Sequence, residues 1–451
     1  MCKHRQHRGL FQTMKTITII GFGRFGKTLH RLVKDDFKVT LHDIKTIEIS
    51  DNKTIVAKNL EEAYKSEAIF YCIPISEFEK TINEHKKHFK PNHLLIDVLS
   101  VKLHPAKVLN KALKGTKTQA ILTHPMFGPD STKESFEGLT IVLDKFKASE
   151  ENYNFWKNYF KSKKLNIVEL SPEKHDKIAA NTQGLTHFIG RLLEELNFKE
   201  SSISSAGAKK LLQVKEQTCN DTWQLFNDLQ HFNPFTKKMR IDLGKVYDGL
   251  YNKLLPKQID PKAITYGIQG GEGSFNEEAI LSFIENNKIE NYKIKYLYTS
   301  EKVLKNLHEG NIDYGLFAIQ NATGGIVHES FHAMANYKFK IIEELQIVIR
   351  HFLMKRKEIP TEKITTIMAH PQNFKQCKNS LKKYPHLEQK SGEGDLVDTA
   401  RAAFYLAKDK LPKNIAILGP KTLSQKYGLE IIDENLQDIK DNLTTFLLVG
   451  R

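Results

Sequence analysis

The sequence predicts an α/β protein: a doubly wound parallel sheet, then an all-helical domain, then a second α/β unit. Three observations carry this. Short apolar runs at 16–21, 38–43, 68–73, 93–98, 119–123 and 139–143 alternate with helical stretches, the pattern of a parallel sheet covered by helices on both faces. After a further short strand near 166–170, residues 172 to about 254 take the period of long amphipathic helices, with no strand candidate among them. From 264 onward the alternation resumes and runs to a last apolar strand at 446–449.

At 451 residues the chain exceeds what one hydrophobic core usually serves, so several domains are expected. The elements divide it into a loose basic tail at 1–13, a sheet domain at 14–165, a helical domain at 166–255, a linker at 256–263 containing Pro256 and Pro261, and the second α/β unit at 264–451. Met14 stands directly before the first strand and is an alternative translation start. No internal repeat or low-complexity tract is visible.

Composition narrows the class. With 40% hydrophobic and 27% charged residues, the chain reads as ordinary globular protein. No stretch approaches the ~20 consecutive apolar residues of a membrane helix, and no secretory cleavage pattern follows the basic start, so a cytoplasmic protein is expected. Cys2, Cys72, Cys219 and Cys377 lie far apart, which suggests neither a disulfide framework nor a metal site. The formal charge of +15 comes from lysines spread along the whole chain. That favours anionic small molecules rather than a nucleic-acid partner.

The first chemical motif is Gly21-Phe22-Gly23-Arg24-Phe25-Gly26, between the first strand and a helix. Glycines there let the backbone turn tightly and approach a pyrophosphate lodged at the helix N-terminus, so the sheet domain reads as a Rossmann dinucleotide-binding domain. Asp43, at the end of the second strand, stands where an acid accepts hydrogen bonds from the adenosine ribose. Its negative charge opposes a 2′-phosphate and favours NAD, while Lys45 keeps NADP open. The bland alternative for Asp43 is a turn residue.

A later strand runs into His124-Pro125-Met126-Phe127-Gly128-Pro129, which puts a histidine at the carboxyl end of a parallel strand, where open α/β sheets place their ligands. At this motif, at Asp97-Val98-Leu99-Ser100-Val101-Lys102, and at Gln183-Gly184-Leu185-Thr186-His187-Phe188-Ile189-Gly190-Arg191, the chain resembles the prephenate and arogenate dehydrogenase family over roughly 15–250. The resemblance implies that His124 accepts the ring hydroxyl proton of substrate as hydride leaves the same carbon for the nicotinamide; decarboxylation and aromatisation follow. It implies that Ser100 orients His124 and that His187 holds substrate. An imidazole suits the task because its ordinary pKa lies near working pH. Two departures stand out: Gly184 replaces the first histidine of the usual helical pair, and around Leu211 to Trp223, where an arginine usually holds a substrate carboxylate, there is only lysine, Lys215 being nearest.

Residues 264–451 resemble prephenate dehydratase. The resemblance lies at Gly270-Gly271-Glu272-Gly273-Ser274-Phe275, at Ala318-Ile319-Gln320-Asn321-Ala322-Thr323-Gly324-Gly325, at His370-Pro371-Gln372-Asn373-Phe374, at Asp398-Thr399-Ala400 and at Asn442-Leu443-Thr444-Thr445-Phe446. It implies two lobes around a cleft, similar to periplasmic binding proteins, with Thr444 as the catalytic hydroxyl. Ser274, Asn321 and Thr399 become substrate contacts, each with a helix cap or turn role as the bland alternative. Two charged positions of the family pattern are neutral here: Gln320 stands for a glutamate and Thr445 for an arginine. If that pair is an ion pair in ordinary members, losing both avoids one buried unpaired charge. The chain stops at Arg451, without room for the phenylalanine-sensing domain that usually follows.

The reading preferred from the sequence is a bifunctional enzyme acting on prephenate at both sites. The alternative is a dehydrogenase with a catalytically dead dehydratase-like domain that binds a regulatory ligand. A generic oxidoreductase for another hydroxy acid is disfavoured because both halves independently resemble enzymes of one metabolite. Apolar helix faces within 172–196 suggest a homodimer.

Overall fold

In the computed structural model residues 14–51, 53–322 and 324–451 are described; the tail expected at 1–13, and Thr323, lie outside the described residues. The chain divides into two units that meet at Val246 and Tyr247, inside the helix Thr236–Leu254 and ahead of Pro256 and Pro261.

In the first unit, β1 (Thr16–Ile20), β2 (Lys38–His42), β3 (Ile55–Val56), β4 (Ala68–Tyr71), β5 (Leu94–Asp97), β6 (Gln119–Pro125), β7 (Thr140–Asp144) and β8 (Asn166–Glu169) form one sheet in the order β3-β2-β1-β4-β5-β6-β7-β8. The chain reverses its direction of travel across the sheet between β1 and β4, which opens a crevice at their carboxyl ends. Central strands covered on both faces have no polar face, and β4 and β5 are buried at every residue. Trp156, from the helix Glu150–Ser162, seals one side by stacking on Phe37 at 5.5 Å and meeting Phe70 edge-on at 4.9 Å. Burying a large apolar side chain of this kind contributes about 1.5–3 kcal/mol.

Three features differ from the expectation. Strand β3 was not expected; both its residues are exposed, so no apolar alternation marks it. Strand β7 runs antiparallel to β6, which corrects the all-parallel sheet. The connection between them holds only the short turn Asp130–Thr132 and no helix to carry a parallel crossover. Strand β8 pairs with β7, so the sheet continues past the boundary expected at 165.

The helices Pro172–Ala179, Leu185–Glu195, Ala206–Cys219, Trp223–Phe232 and Thr236–Leu254 follow. Ser171, Ser205 and Thr222 each cap one of them by accepting a backbone N–H from the first turn, at Lys174, Ala208 and Leu225. Between the first two helices, Ala180–Gly184 forms one π-helical turn.

The second unit has two sheets. The first holds β9 (Ile264–Ile268), β10 (Tyr292–Tyr296), β11 (Tyr314–Asn321), β12 (Gly325–Ile326), β13 (Lys340–Val348) and β19 (Leu443–Gly450), in the order β10-β9-β11-β19-β13 with β12 paired to β11. The other holds β14 (Phe352–Arg356), β15 (Thr366–Met368), β16 (Glu388–Lys390), β17 (Ile415–Gly419) and β18 (Leu429–Asp433), in the order β16-β15-β17-β14-β18. The chain crosses between sheets twice, after β13 and after β18. The crossings are tied together by Ile349 N–H donating to the Asn442 carbonyl at 2.8 Å and Leu436 N–H to the His351 carbonyl at 3.0 Å. This is the two-lobed layout expected from the sequence.

Candidate active sites

The glycine turn has the geometry a dinucleotide needs. Gly21 adopts φ +91°, and a Cβ there would lie 2.5 Å from the Cys72 carbonyl oxygen. A Cβ on Gly26 would lie 2.2 Å from the Gly21 carbonyl oxygen, so helix and strand can approach only with glycine at both places. A Cβ on Gly23 would meet nothing, which leaves open space at the start of the helix Arg24–Val33. Among the described residues no side chain caps that helix, so its first N–H groups are available to an anion. Asp43 braces the turn: it accepts from Phe22 N–H at 2.6 Å through Oδ2 and from Lys45 N–H at 2.9 Å through Oδ1. Each oxygen keeps a lone pair for a ribose hydroxyl. Phe25 turns into the core against Phe127. Arg24 reaches Asp130 at 2.9 Å, Asp221 at 3.1 Å and the Asn220 carbonyl at 2.9 Å, joining the turn to the helical segment.

His124 is the penultimate residue of β6 and is 2% exposed. Its Nδ1 meets His175 Nε2 at 2.8 Å, and His175 Nδ1 meets Asp176 Oδ1 at 2.8 Å. The carboxylate can only accept, so a neutral His175 donates from Nδ1 and accepts at Nε2. His124 must then donate from Nδ1, which leaves its Nε2 bare as a proton acceptor. Asp176 is anchored by the backbone N–H groups of Lys102 at 2.8 Å and Leu103 at 3.0 Å. The end of β6 is gripped as well: Thr123 N–H donates to Asp97 at 3.2 Å, and the Lys102 ammonium bonds both Asp97 and the Thr123 carbonyl. Burial pushes Asp97 up and Lys102 down, against the attraction each exerts on the other. Burial also holds His124 well below the ordinary histidine value, and the charges of His175, Lys102 and His187 add to it.

Of the residues singled out in the sequence, His187 lies near enough to His124 for its charge to lower the His124 pKa. Ser100 sits half-buried on the loop after β5, and no hydrogen bond joins it to His124 among the described residues; the partner of Nδ1 is His175. Sequence reasoning missed His175 and Asp176. Their signal is the adjacent His-Asp pair one turn inside a helix whose start Ser171 and Pro172 announce. Lys215, the expected cation, is spent elsewhere, donating to the Phe198 carbonyl at 3.0 Å and pairing with Glu194 at 3.4 Å.

In the second unit, β11 and β19 pair antiparallel, with Asn321 opposite Thr444 and Gln320 opposite Thr445. The Asn321 amide donates to Thr444 Oγ1 at 2.7 Å and to Asn442 Oδ1 at 2.8 Å. Asn442 in turn donates to Gln376 at 3.1 Å, and Gln376 bonds His351 at 2.5 Å. Burial lowers His351 to about 4, so it stays neutral. Thr399 accepts from His370 N–H at 3.0 Å and Asn373 at 3.2 Å. Ser274 caps the helix Phe275–Asn286. Asp398 links the lobes by accepting from Gly271 N–H at 2.7 Å. Because side chains alternate along a strand, Gln320 and Thr445 point to the opposite face from Asn321 and Thr444.

Comparison with known proteins agrees with both halves. Family models match residues 26–169 as "Prephenate dehydrogenase, nucleotide-binding domain", residues 266–451 as "Prephenate dehydratase", and residues 192–263 as "TYRAAT1-like, C-terminal domain". Arogenate dehydrogenase 2, chloroplastic, of Arabidopsis thaliana is 31% identical over 53% of this chain and 69% of its own length. The probable arogenate/prephenate dehydrogenase of Methanocaldococcus jannaschii is 27% identical over 67% of this chain and 72% of its own. A bifunctional chorismate mutase/prephenate dehydratase of Buchnera aphidicola is 31% identical over 45% of this chain. The chain spans about half the length of that relative, 49%. Among the described residues, no helix is long and apolar enough to cross a membrane.

Proposed function

The chain belongs to the prephenate and arogenate dehydrogenase family and carries a prephenate dehydratase unit behind it, and on that premise we propose that it is a bifunctional enzyme. At the first site it oxidatively decarboxylates prephenate, or its amino counterpart arogenate. At the second it dehydrates and decarboxylates prephenate to phenylpyruvate.

The observation that carries the first activity is the His124–His175–Asp176 chain. His124 Nε2 takes the ring hydroxyl proton, and positive charge that builds on the imidazole is stabilised through His175 by Asp176. The nicotinamide, when bound, supplies the hydride acceptor. The chain's own work is to hold the pyrophosphate at Gly21, Gly23 and Gly26, to read the ribose with Asp43, and to keep His124 neutral. The Asp43 carboxylate supports NAD rather than NADP. Loss of the ring carboxylate as carbon dioxide then makes the ring aromatic.

For the second activity, Thr444 accepts from Asn321 and so keeps its own O–H to donate to the departing hydroxyl. The retained Thr444, Asn321 and Thr399 support turnover here rather than ligand binding alone. Exposed Leu192, Leu196 and Leu211 on the helical segment support a homodimer. The test for the first site is NAD-dependent oxidation of prephenate and of arogenate by the purified protein. Activity with either that His124→Asn abolishes supports the reading; activity with neither sinks it.

A further inference from the structure

Gln183, His187 and Arg191 repeat every four residues through the π turn and the helix Leu185–Glu195, so they share one face. Among the described residues, Gln183 Oε1, His187 Nδ1 and Arg191 Nε are all buried without a hydrogen-bond partner. Buried polar groups are ordinarily satisfied, so three vacant ones in a row on one helix face are unusual. Arg191 is the sharpest case. It is 8% exposed, lies 4.5 Å over the Trp223 ring and, among the described residues, donates only to the Asp221 carbonyl at 2.6 Å. No carboxylate pairs with it among the described residues, although buried guanidinium groups ordinarily find an anion. The nearby Asp221 carboxylate is taken by Arg24 at 3.1 Å.

The stripe adjoins the base. His187 lies close enough to His124 for its charge to act there, and the Arg191 charge acts on His187 in turn. Meanwhile Lys215 is already occupied by Glu194 and Phe198.

We propose that Arg191 is the anchor for a carboxylate of the dehydrogenase substrate, with His187 and Gln183 completing a polar rail along the helix face. This rests on the reading of the first site as acting on a cyclohexadienol dicarboxylate. A guanidinium fork braced on an indole ring binds a carboxylate through two parallel N–H groups, which a lysine cannot do. The anchor therefore lies one helix earlier than the lysine position at which the sequence invites a search.

The chain has two tryptophans, Trp156 and Trp223, both in the first unit. Trp156 is sealed in the core, whereas Trp223 touches Arg191. Tryptophan fluorescence of the full chain, titrated with prephenate and with arogenate without nicotinamide, therefore reports binding at this site alone and does not require turnover. The expected result is a saturable change in the wild type whose midpoint rises about 10- to 100-fold in Arg191→Gln, with Arg191→Lys intermediate. Steady-state KM for the substrate rises in parallel, while kcat and the KM for NAD stay within about threefold, the pattern of lost uniform binding. An unchanged midpoint in Arg191→Gln, or no wild-type fluorescence change with either compound, overturns the anchor. Should Arg191→Gln fail to fold, an unchanged midpoint in Arg191→Lys overturns it equally. Wild-type binding that depends on Arg191 but gives no turnover keeps the anchor and removes the proposed activity, so the two readings fail separately.

Discussion

The first unit gathers His124, His175, Asp176, Asp97 and Lys102, each at most 2% exposed, into one cluster of ionisable groups. The second gathers Thr444, Asn321, Asn442 and Gln376, none of which changes charge near neutral pH, with only His351 at the end of the row. The contrast follows from the chemistry each centre is read to perform. Removing a hydroxyl proton while hydride departs calls for a base of tuned affinity, and burial among fixed charges tunes it. Expelling a hydroxyl calls for a donor aimed along one direction, and amide-to-hydroxyl bonds aim it without burying charge. The first solution is costly to assemble and the second is cheap, so the two halves respond differently to the same kinds of perturbation.

The largest effect expected is on chemistry. His124→Asn lowers dehydrogenase kcat by about 100- to 10,000-fold and leaves phenylpyruvate formation unchanged, measured side by side on one preparation. Since burial holds His124 below its ordinary value, wild-type dehydrogenase kcat/KM stays level as pH falls through 6.5 and declines only at lower pH. An acid limb centred above 6.5 contradicts the relay.

Stability comes next. Lys102→Met takes from the buried Asp97 carboxylate its only cation among the described residues and leaves it with backbone donors such as Thr123 N–H, which costs the first unit about 3–5 kcal/mol. Calorimetry resolves this as a lowered transition for that unit only. No comparable loss is available in the second site, where Asn321→Ala removes neutral hydrogen bonds at about 1–3 kcal/mol.

A smaller effect separates the histidines. In the first unit burial lowers His30, His85, His93, His104, His124 and His187, with His85 and His93 at about 4; in the second it lowers His351, also to about 4, and His370. A folded pKa below the unfolded value of about 6.5 means stability is complete above that pH and is lost as pH falls toward 4. Between pH 7 and 5 the first unit's melting temperature, followed by tryptophan fluorescence, drops about 5 °C or more beyond that of the second. Equal drops remove the distinction.

The smallest effect bears on the missing charges. Gln320 and Thr445 face each other across one rung of the ladder, so Gln320→Glu with Thr445→Arg restores a cross-strand pair. The double variant gains up to about 1 kcal/mol of stability over the sum of the singles, since directly opposed charges attract. No coupling in a double-mutant cycle means that the two departures arose independently.

Much of this was legible in the sequence. The glycine turn, Asp43 and His124 announce themselves through local chemistry at strand ends, whereas Asn321 and Thr444 stand out singly in their motifs and only the pairing of β11 with β19 brings them together. His175 and Asp176 were not legible, because they lie about fifty residues after His124 and only the docking of the helix Pro172–Ala179 brings them to it. The same holds for Arg191, which sits inside a quoted motif yet shows its vacancy only when its surroundings are known. The antiparallel β7 was hidden because a strand's direction leaves no mark in its own residues.

The most direct test of two working centres on one chain is dehydratase turnover: purified protein with prephenate and no nicotinamide, phenylpyruvate followed above the uncatalysed background, and Thr444→Ala as control. The account predicts formation that Thr444→Ala abolishes while NAD-dependent oxidation in the same variant is intact. Phenylpyruvate at no more than the background rate, with the oxidation intact, contradicts it and leaves the second unit as a binding module.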